Sequence, residues 1–162
     1  MLEMIPQSER GWTYDTWLDD ELAGVVKFSR FVESGSITFE RRLYRVRKHG
    51  PLSRRWTLEA DGKVDCEAVQ TSRFNRRFEL KSSANEFVIQ DLSALARGFN
   101  ILRNDDAVIG SIHPNHPMTR RVTIDQPAGV RDLDLIFAFW IVVLTWRRAA
   151  EPKTPTAAAK DS

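Results

Sequence analysis

The run RDLDLIFAFWIVVLTWRRAA, residues 131–150, constrains this chain more than any other segment. From Leu133 to Trp146 only Asp134 and Thr145 are polar, so a helix here is apolar on every face. Such a helix is buried all round, by lipid or by protein. These 14 residues, at ~1.5 Å each, make about 21 Å of helix. A hydrocarbon core of ~30 Å takes about 20 residues to cross. The ends are polarised in the stabilising sense, with Asp132 and Asp134 at the amino end and Arg147 and Arg148 at the carboxyl end. Two readings follow. One is an axial helix buried in a protein core over about 132–147; the other is a C-terminal anchor with Trp140 and Trp146 as interfacial aromatics. The length favours the first.

A buried cylinder needs a wall, and the middle of the chain supplies one. Between about Ser36 and Asp125 the dominant period is two. In RRWTLEA, Trp56, Leu58 and Ala60 share one face and Arg55, Thr57 and Glu59 the other. KVDCEAV places Val64, Cys66 and Ala68 inward and Asp65 and Glu67 outward, while RFEL and RVTID repeat the pattern with Phe78, Leu80, Val122 and Ile124 inward. EFVIQ, GFNILRN and AVIGSI have strand composition, and Asp61-Gly62 between two alternating runs is the strongest hairpin signal. Ser83-Ala84-Asn85 and Asn104-Asp105-Asp106 read as further turns. The pattern predicts eight or nine short strands, each with one apolar face: an antiparallel sandwich or barrel. A barrel of roughly ten or more strands has an interior that must be filled, and the apolar helix fits it.

The flanks are less regular. In TWLDDELAGVVKFSRFVESG, residues Trp17, Leu18, Leu22, Val25 and Val26 fit a helical face that Thr16 caps and Gly35 ends. Ala23 to Glu33 also suits a strand. The expectation is a helix, with residues 1–35 either packed on the barrel or contributing strands to it, and 36–150 as the barrel and its helix. The tail EPKTPTAAAKDS, residues 151–162, has no large apolar side chain and is expected to be disordered.

A run of amphipathic hairpins closed by one hydrophobic C-terminal helix resembles the tubby C-terminal-like domain superfamily, which includes LURP-type proteins and phospholipid scramblases. The resemblance rests on RWTLEADGKVDCEAV, RRFELKSSANEFVI, GFNILRNDDAVIGSI, RRVTID and the helix, and covers roughly residues 36–147. It implies a closed barrel of about twelve strands around the helix. It also implies a surface for phosphoinositides or other phospholipids, although no local motif carries over an individual ligand residue.

No pattern asks for catalysis. His113-Pro114-Asn115-His116 lacks two further ligands for zinc, and Cys66 alternates inward as a small apolar filler. No phosphate loop, nucleophile elbow or paired carboxylates occur, and neither metal nor cofactor is expected. The basic residues are the better lead. Arg41, Arg42, Arg45, Arg47, Lys48, Arg54 and Arg55 follow one another without an intervening Asp or Glu. With Tyr44 and Val46 inward, Arg45 and Arg47 share the outer face. Arginine forks match phosphate, and each basic residue near a charged bilayer is worth about 1 kcal/mol. Against this, Glu59, Asp65, Glu67, Glu79 and Asp125 share the outer faces, so the arginines also suit cross-strand ion pairs. Tyr44 and Trp56 point inward and form no stacking platform for nucleic acid, and the net charge of +2 is too small to argue for one.

The sequence therefore predicts a mainly β protein, a closed antiparallel barrel around one C-terminal helix. The expected role is that of a non-enzymatic binding module for anionic phospholipid headgroups or another phosphorylated partner, with Arg41 to Arg55 as its electropositive surface. The alternatives are a structural or protein-interaction domain and a scramblase-like, membrane-associated protein. MLEMIPQSER has no apolar signal region, which points to the cytoplasm, with peripheral membrane contact.

Overall fold

Alternation of buried and exposed side chains closes the sheet on itself. The computed structural model describes residues 1–72, 74–93 and 96–151. Its strands are β1 (Leu2–Pro6), β2 (Tyr14–Leu18), β3 (Glu21–Phe28), β4 (Gly35–Phe39), β5 (Arg42–Lys48) and β6 (Arg55–Ala60). They continue with β7 (Lys63–Gln70), β8 (Arg77–Ser82), β9 (Glu86–Asp91), β10 (Phe99–Leu102), β11 (Val108–Pro114) and β12 (Val122–Asp125), followed by the helix α1 (Asp132–Ala150). Each strand pairs antiparallel with its sequence neighbours. β1 then pairs with β12, Leu2 opposite Ile124 and Met4 opposite Val122, so the barrel closes with no free edge.

The helix runs inside. Every residue from Leu133 to Trp146 is buried, against inward side chains such as Trp56, Phe78 and Phe99. Tyr14 meets Phe139 edge-on at 4.9 Å between ring centroids, and Phe28 stacks on Trp140, also at 4.9 Å. The indole N–H groups are satisfied by the wall, Trp140 donating to the Lys27 carbonyl at 3.2 Å and Trp146 to that of Arg97 at 3.0 Å. The apolar segment is thus the core of the barrel, and among the described residues no helix is long and apolar enough to cross a membrane. It continues past the expected end at 147 to Ala150. Outward positions at mid-strand include Arg45, Arg47, Glu67, Glu79 and Lys81, whereas a lipid-spanning barrel wall carries an apolar band there.

Nine strands, β4 to β12, lie where the alternation between about Ser36 and Asp125 predicts eight or nine, and the N-terminal region contributes β1, β2 and β3 to make twelve. Two expectations need correction. The expected helix over Thr16 to Gly35 is absent. Asp19 and Asp20 both take left-handed backbone, φ 48° and 67°, and turn the chain back in a two-residue hairpin. A bulge opposite Thr16 and Trp17 then breaks the period-two pattern of β3, so Leu22 and Val26 only imitate a helical spacing. Val64 is exposed, not inward. A second bulge makes it face Glu59, while Cys66 faces Leu58, and Cys66 and Ala68 keep the expected buried side. The turns at Asp61-Gly62, 83–85 and 103–107 fall where the sequence places them. Of the expected disordered tail, residues 152–162 lie outside the described residues.

Because all pairings are antiparallel, successive connections alternate between the two ends of the barrel. The helix enters at the end holding the turns 19–20, 40–41, 61–62, 83–85 and 103–107. It leaves at the end holding the loops 7–13, 29–34, 49–54 and 115–121 and the described residues 71–72, 74–76, 92–93 and 96–98. These are called here the entry end and the exit end.

Candidate functional site: a basic wall

The seven cations of the Arg41–Arg55 run do not form one patch. β5 covers about 20 Å from end to end at ~3.3 Å per residue. Arg41, in the turn before it, and Arg42 lie at the entry end, Arg45 and Arg47 at mid-wall, and Lys48 at the exit end, where Arg54 also lies. Tyr44 and Val46 are buried, as the alternation requires, and Arg45 and Arg47 face outward.

Four of the seven are matched to carboxylates. Arg42 meets Asp61 at 3.0 Å, and that hydrogen bond raises its pKa. Arg47 grips both oxygens of Glu59, at 3.1 and 3.2 Å. Arg55 meets Glu67 at 2.5 Å. Lys48 sits 3.5 Å from Glu33 and lies over the Trp56 ring, which Arg148 also covers. Near this group, burial followed by the charges of Arg55 and Arg47 lowers the pKa of His49, whose Nε2 is 2.7 Å from the Thr57 hydroxyl.

Arg41, Arg45 and Arg54 have no carboxylate partner among the described residues. Arg45 stands opposite Ser36 on β4 and Glu59 on β6, but Glu59 is already held by Arg47. Two open depressions flank it. One, of about 720 Å³, is lined by Arg41, Arg42, Arg45 and Arg47 with Glu59 and Asp61. The other, of about 640 Å³, adds Lys27, Ser29, Ser34 and Ser36 to Arg45 and Arg47. Lys27 and these serines are the part of the groove that the sequence reading missed. Their outward position follows only once β3 and β4 are recognised as strands.

The groove can hold an anion, with guanidinium and ammonium groups for charge and serine hydroxyls for further hydrogen bonds. The other reactive side chains lie elsewhere. Burial, with the Asp134 charge adding to it, pushes the Cys66 thiol well above its ordinary value, so it stays protonated in the core. His113 lies 3.2 Å from the Ser111 hydroxyl on β11, and His116, in the following loop, accepts a hydrogen bond from the Met118 backbone. Compared with known proteins, the chain matches no family model, no curated protein and no solved structure.

Proposed function

We propose that this chain is a non-enzymatic, tubby-like binding module for phosphate-bearing anions, a phospholipid headgroup or a phosphorylated partner, held in the basic groove of the outer wall. The observation that carries the reading is Arg45: a guanidinium with no carboxylate partner among the described residues, set between Arg41, Arg42, Arg47 and Lys27 in an open groove. Architecture supports it as well, since twelve strands closed around one C-terminal helix is what the tubby-like resemblance implies. The helix occupies the interior, so a ligand binds on the wall or at an end. The ion pairs of Arg42, Arg47, Lys48 and Arg55 favour a second reading, a structural domain whose arginines only bind its own strands together.

Calorimetry with a soluble inositol phosphate decides between them. A bound headgroup predicts salt-sensitive affinity that falls about tenfold or more in the Lys27→Glu/Arg45→Glu variant, at ~1 kcal/mol per basic charge. Arg54→Glu, at the exit end, is expected to leave it unchanged. No binding by the parent chain, or equal loss in both variants, removes the wall site and leaves the structural reading.

A further inference from the structure

The two ends of the barrel differ in a way that strand pairing does not require. At the entry end the turn tips are acidic: Asp19 and Asp20, Glu40, Asp61, and Asp105 with Asp106, against Arg41 and Arg103. The exposed apolar residues near that end are Met1, beside the 19–20 turn, and Leu22, Leu43, Val64 and Val108 on the flanks of strands below the tips. At the exit end the loops carry Arg10, Arg30, Arg54, Arg76, Arg97 and Arg120 against Glu9 and Glu33. Here the apolar side chains are on the loops themselves. Phe31 is 88% exposed, Leu52 91%, Phe74 97% and Met118 89%, each on a different loop.

Single exposed apolar residues are ordinary, but here four nearly bare ones project from four loops at one end of the barrel. What covers them follows from the charge around them. An arginine collar beside projecting phenylalanine, leucine and methionine complements a surface that is anionic outside and apolar a few ångströms deeper.

The same end has a cavity suited to one such headgroup. It measures about 530 Å³ and is lined by Arg10, Trp12, Phe28, Ser29, Arg30 and Arg147, with Glu151 at its edge. Arg147, in the last turn of α1, donates through Nη2 to the Ser29 carbonyl at 3.0 Å and lies over the Phe28 ring. Its Nη1 is buried with no hydrogen-bond partner among the described residues.

We propose that the exit end docks on an anionic phospholipid bilayer, with the tips at Phe31, Leu52, Phe74 and Met118 in the lipid interface and Arg10, Arg30 and Arg147 on a headgroup phosphate. The helix axis then stands across the membrane plane, and the acidic entry end faces away from it. This inference rests on the reading of the chain as a module for phosphate-bearing anions, but it puts the bilayer contact at the end and not on the wall.

The test is cosedimentation with mixed phosphatidylcholine/phosphatidylserine vesicles, set beside the soluble headgroup titration. The Phe31→Ser/Leu52→Ser/Phe74→Ser variant changes only exposed side chains and is expected to fold. Its partitioning falls at least ~tenfold, as loss of three apolar anchors requires, while its affinity for the soluble headgroup is kept. The wall variant Lys27→Glu/Arg45→Glu behaves in the opposite way. A Phe74→Trp variant gives a second readout: its emission shifts to the blue on vesicle binding and is quenched by acyl-chain bromines. Unchanged sedimentation of the triple variant overturns the inference and leaves the wall reading standing; the apolar tips then belong to another partner, such as a protein. A parent chain that binds the soluble headgroup but no vesicle overturns it too. Vesicle binding lost with the tips, in a chain that ignores the soluble headgroup, keeps the docking end and removes the wall site.

Discussion

Asp134 shows how one residue ties the helix to its barrel. It is 0% exposed and accepts hydrogen bonds from Arg131 at 2.6 Å and from the Ser82 hydroxyl at 2.8 Å. Arg131 also binds Asp65 on β7, and its backbone N–H donates to the Asn85 side chain at 2.8 Å. Burial disfavours the Arg131 charge, yet its hydrogen bonds to Asp134 and Asp65 outweigh that and hold its pKa above the ordinary arginine value. Removing one partner of such a pair leaves the other charge without compensation, which costs 3–5 kcal/mol when both are fully enclosed. Arg131 is about one-third exposed and keeps Asp65, so Asp134→Ala is expected to lose about 3 kcal/mol in urea unfolding. Asp134→Asn keeps an acceptor for Ser82 and should lose less. A midpoint equal to the parent's would show that the network only decorates the helix start. From the sequence, Asp134 is legible as a complement to the helix dipole. Its pairing with Ser82, 52 residues away, is not, because no local pattern connects them.

Strands were the most legible elements and the first three the least. β5 to β9 keep the period of two over most of their length, so Tyr44, Val46, Trp56, Leu58, Phe78 and Leu80 are buried as the alternation predicts. Bulges in β3 and β7 insert one residue each, and beyond such an insertion every side chain changes face. That accounts for Val64 and for the helical reading of residues 16–35. At the end of that misread segment is Gly35, which the sequence suggested as a helix terminator. Its role is instead to let strand and helix approach. A Cβ on Gly35 would lie 2.1 Å from the Lys27 carbonyl oxygen and 2.9 Å from Trp140 Nε1. Those two atoms form the hydrogen bond that fixes Trp140 to the wall. Backbone cannot yield as a side-chain tip can, so Gly35→Ala is expected to cost at least the ~1–3 kcal/mol of an overpacked core. Thermal unfolding should show the loss, and a blunted near-ultraviolet tryptophan signal should accompany it. An unchanged melting temperature would mean that β3 and β4 can separate without disturbing α1.

At the scale of the whole molecule, strand number decides what the loops can do together. Loops on one end of an antiparallel barrel are alternate loops in sequence. The contiguous run Arg41 to Arg55 looked like one patch although it follows β5 from one end to the other, and Phe31 joins Leu52, Phe74 and Met118 at the exit end only once residues 21–28 are recognised as β3. The fold itself was legible for a simpler reason: an all-round apolar helix too short for a bilayer and strands with one apolar face each require one another. That dependence predicts the behaviour of a chain ending at Val130. Without α1 the inward faces of Trp56, Phe78, Phe87 and Phe99 line a hollow that side chains of the wall alone do not fill. Exposed to water they favour collapse or association, so the truncated chain is expected to bind hydrophobic dyes and to unfold without a cooperative transition. A chain ending at Glu151 keeps the whole helix and should unfold in one step. Cooperative unfolding of the shorter chain would show that the strands pack on each other without the helix, and α1 would then be a later addition to a barrel that already stands.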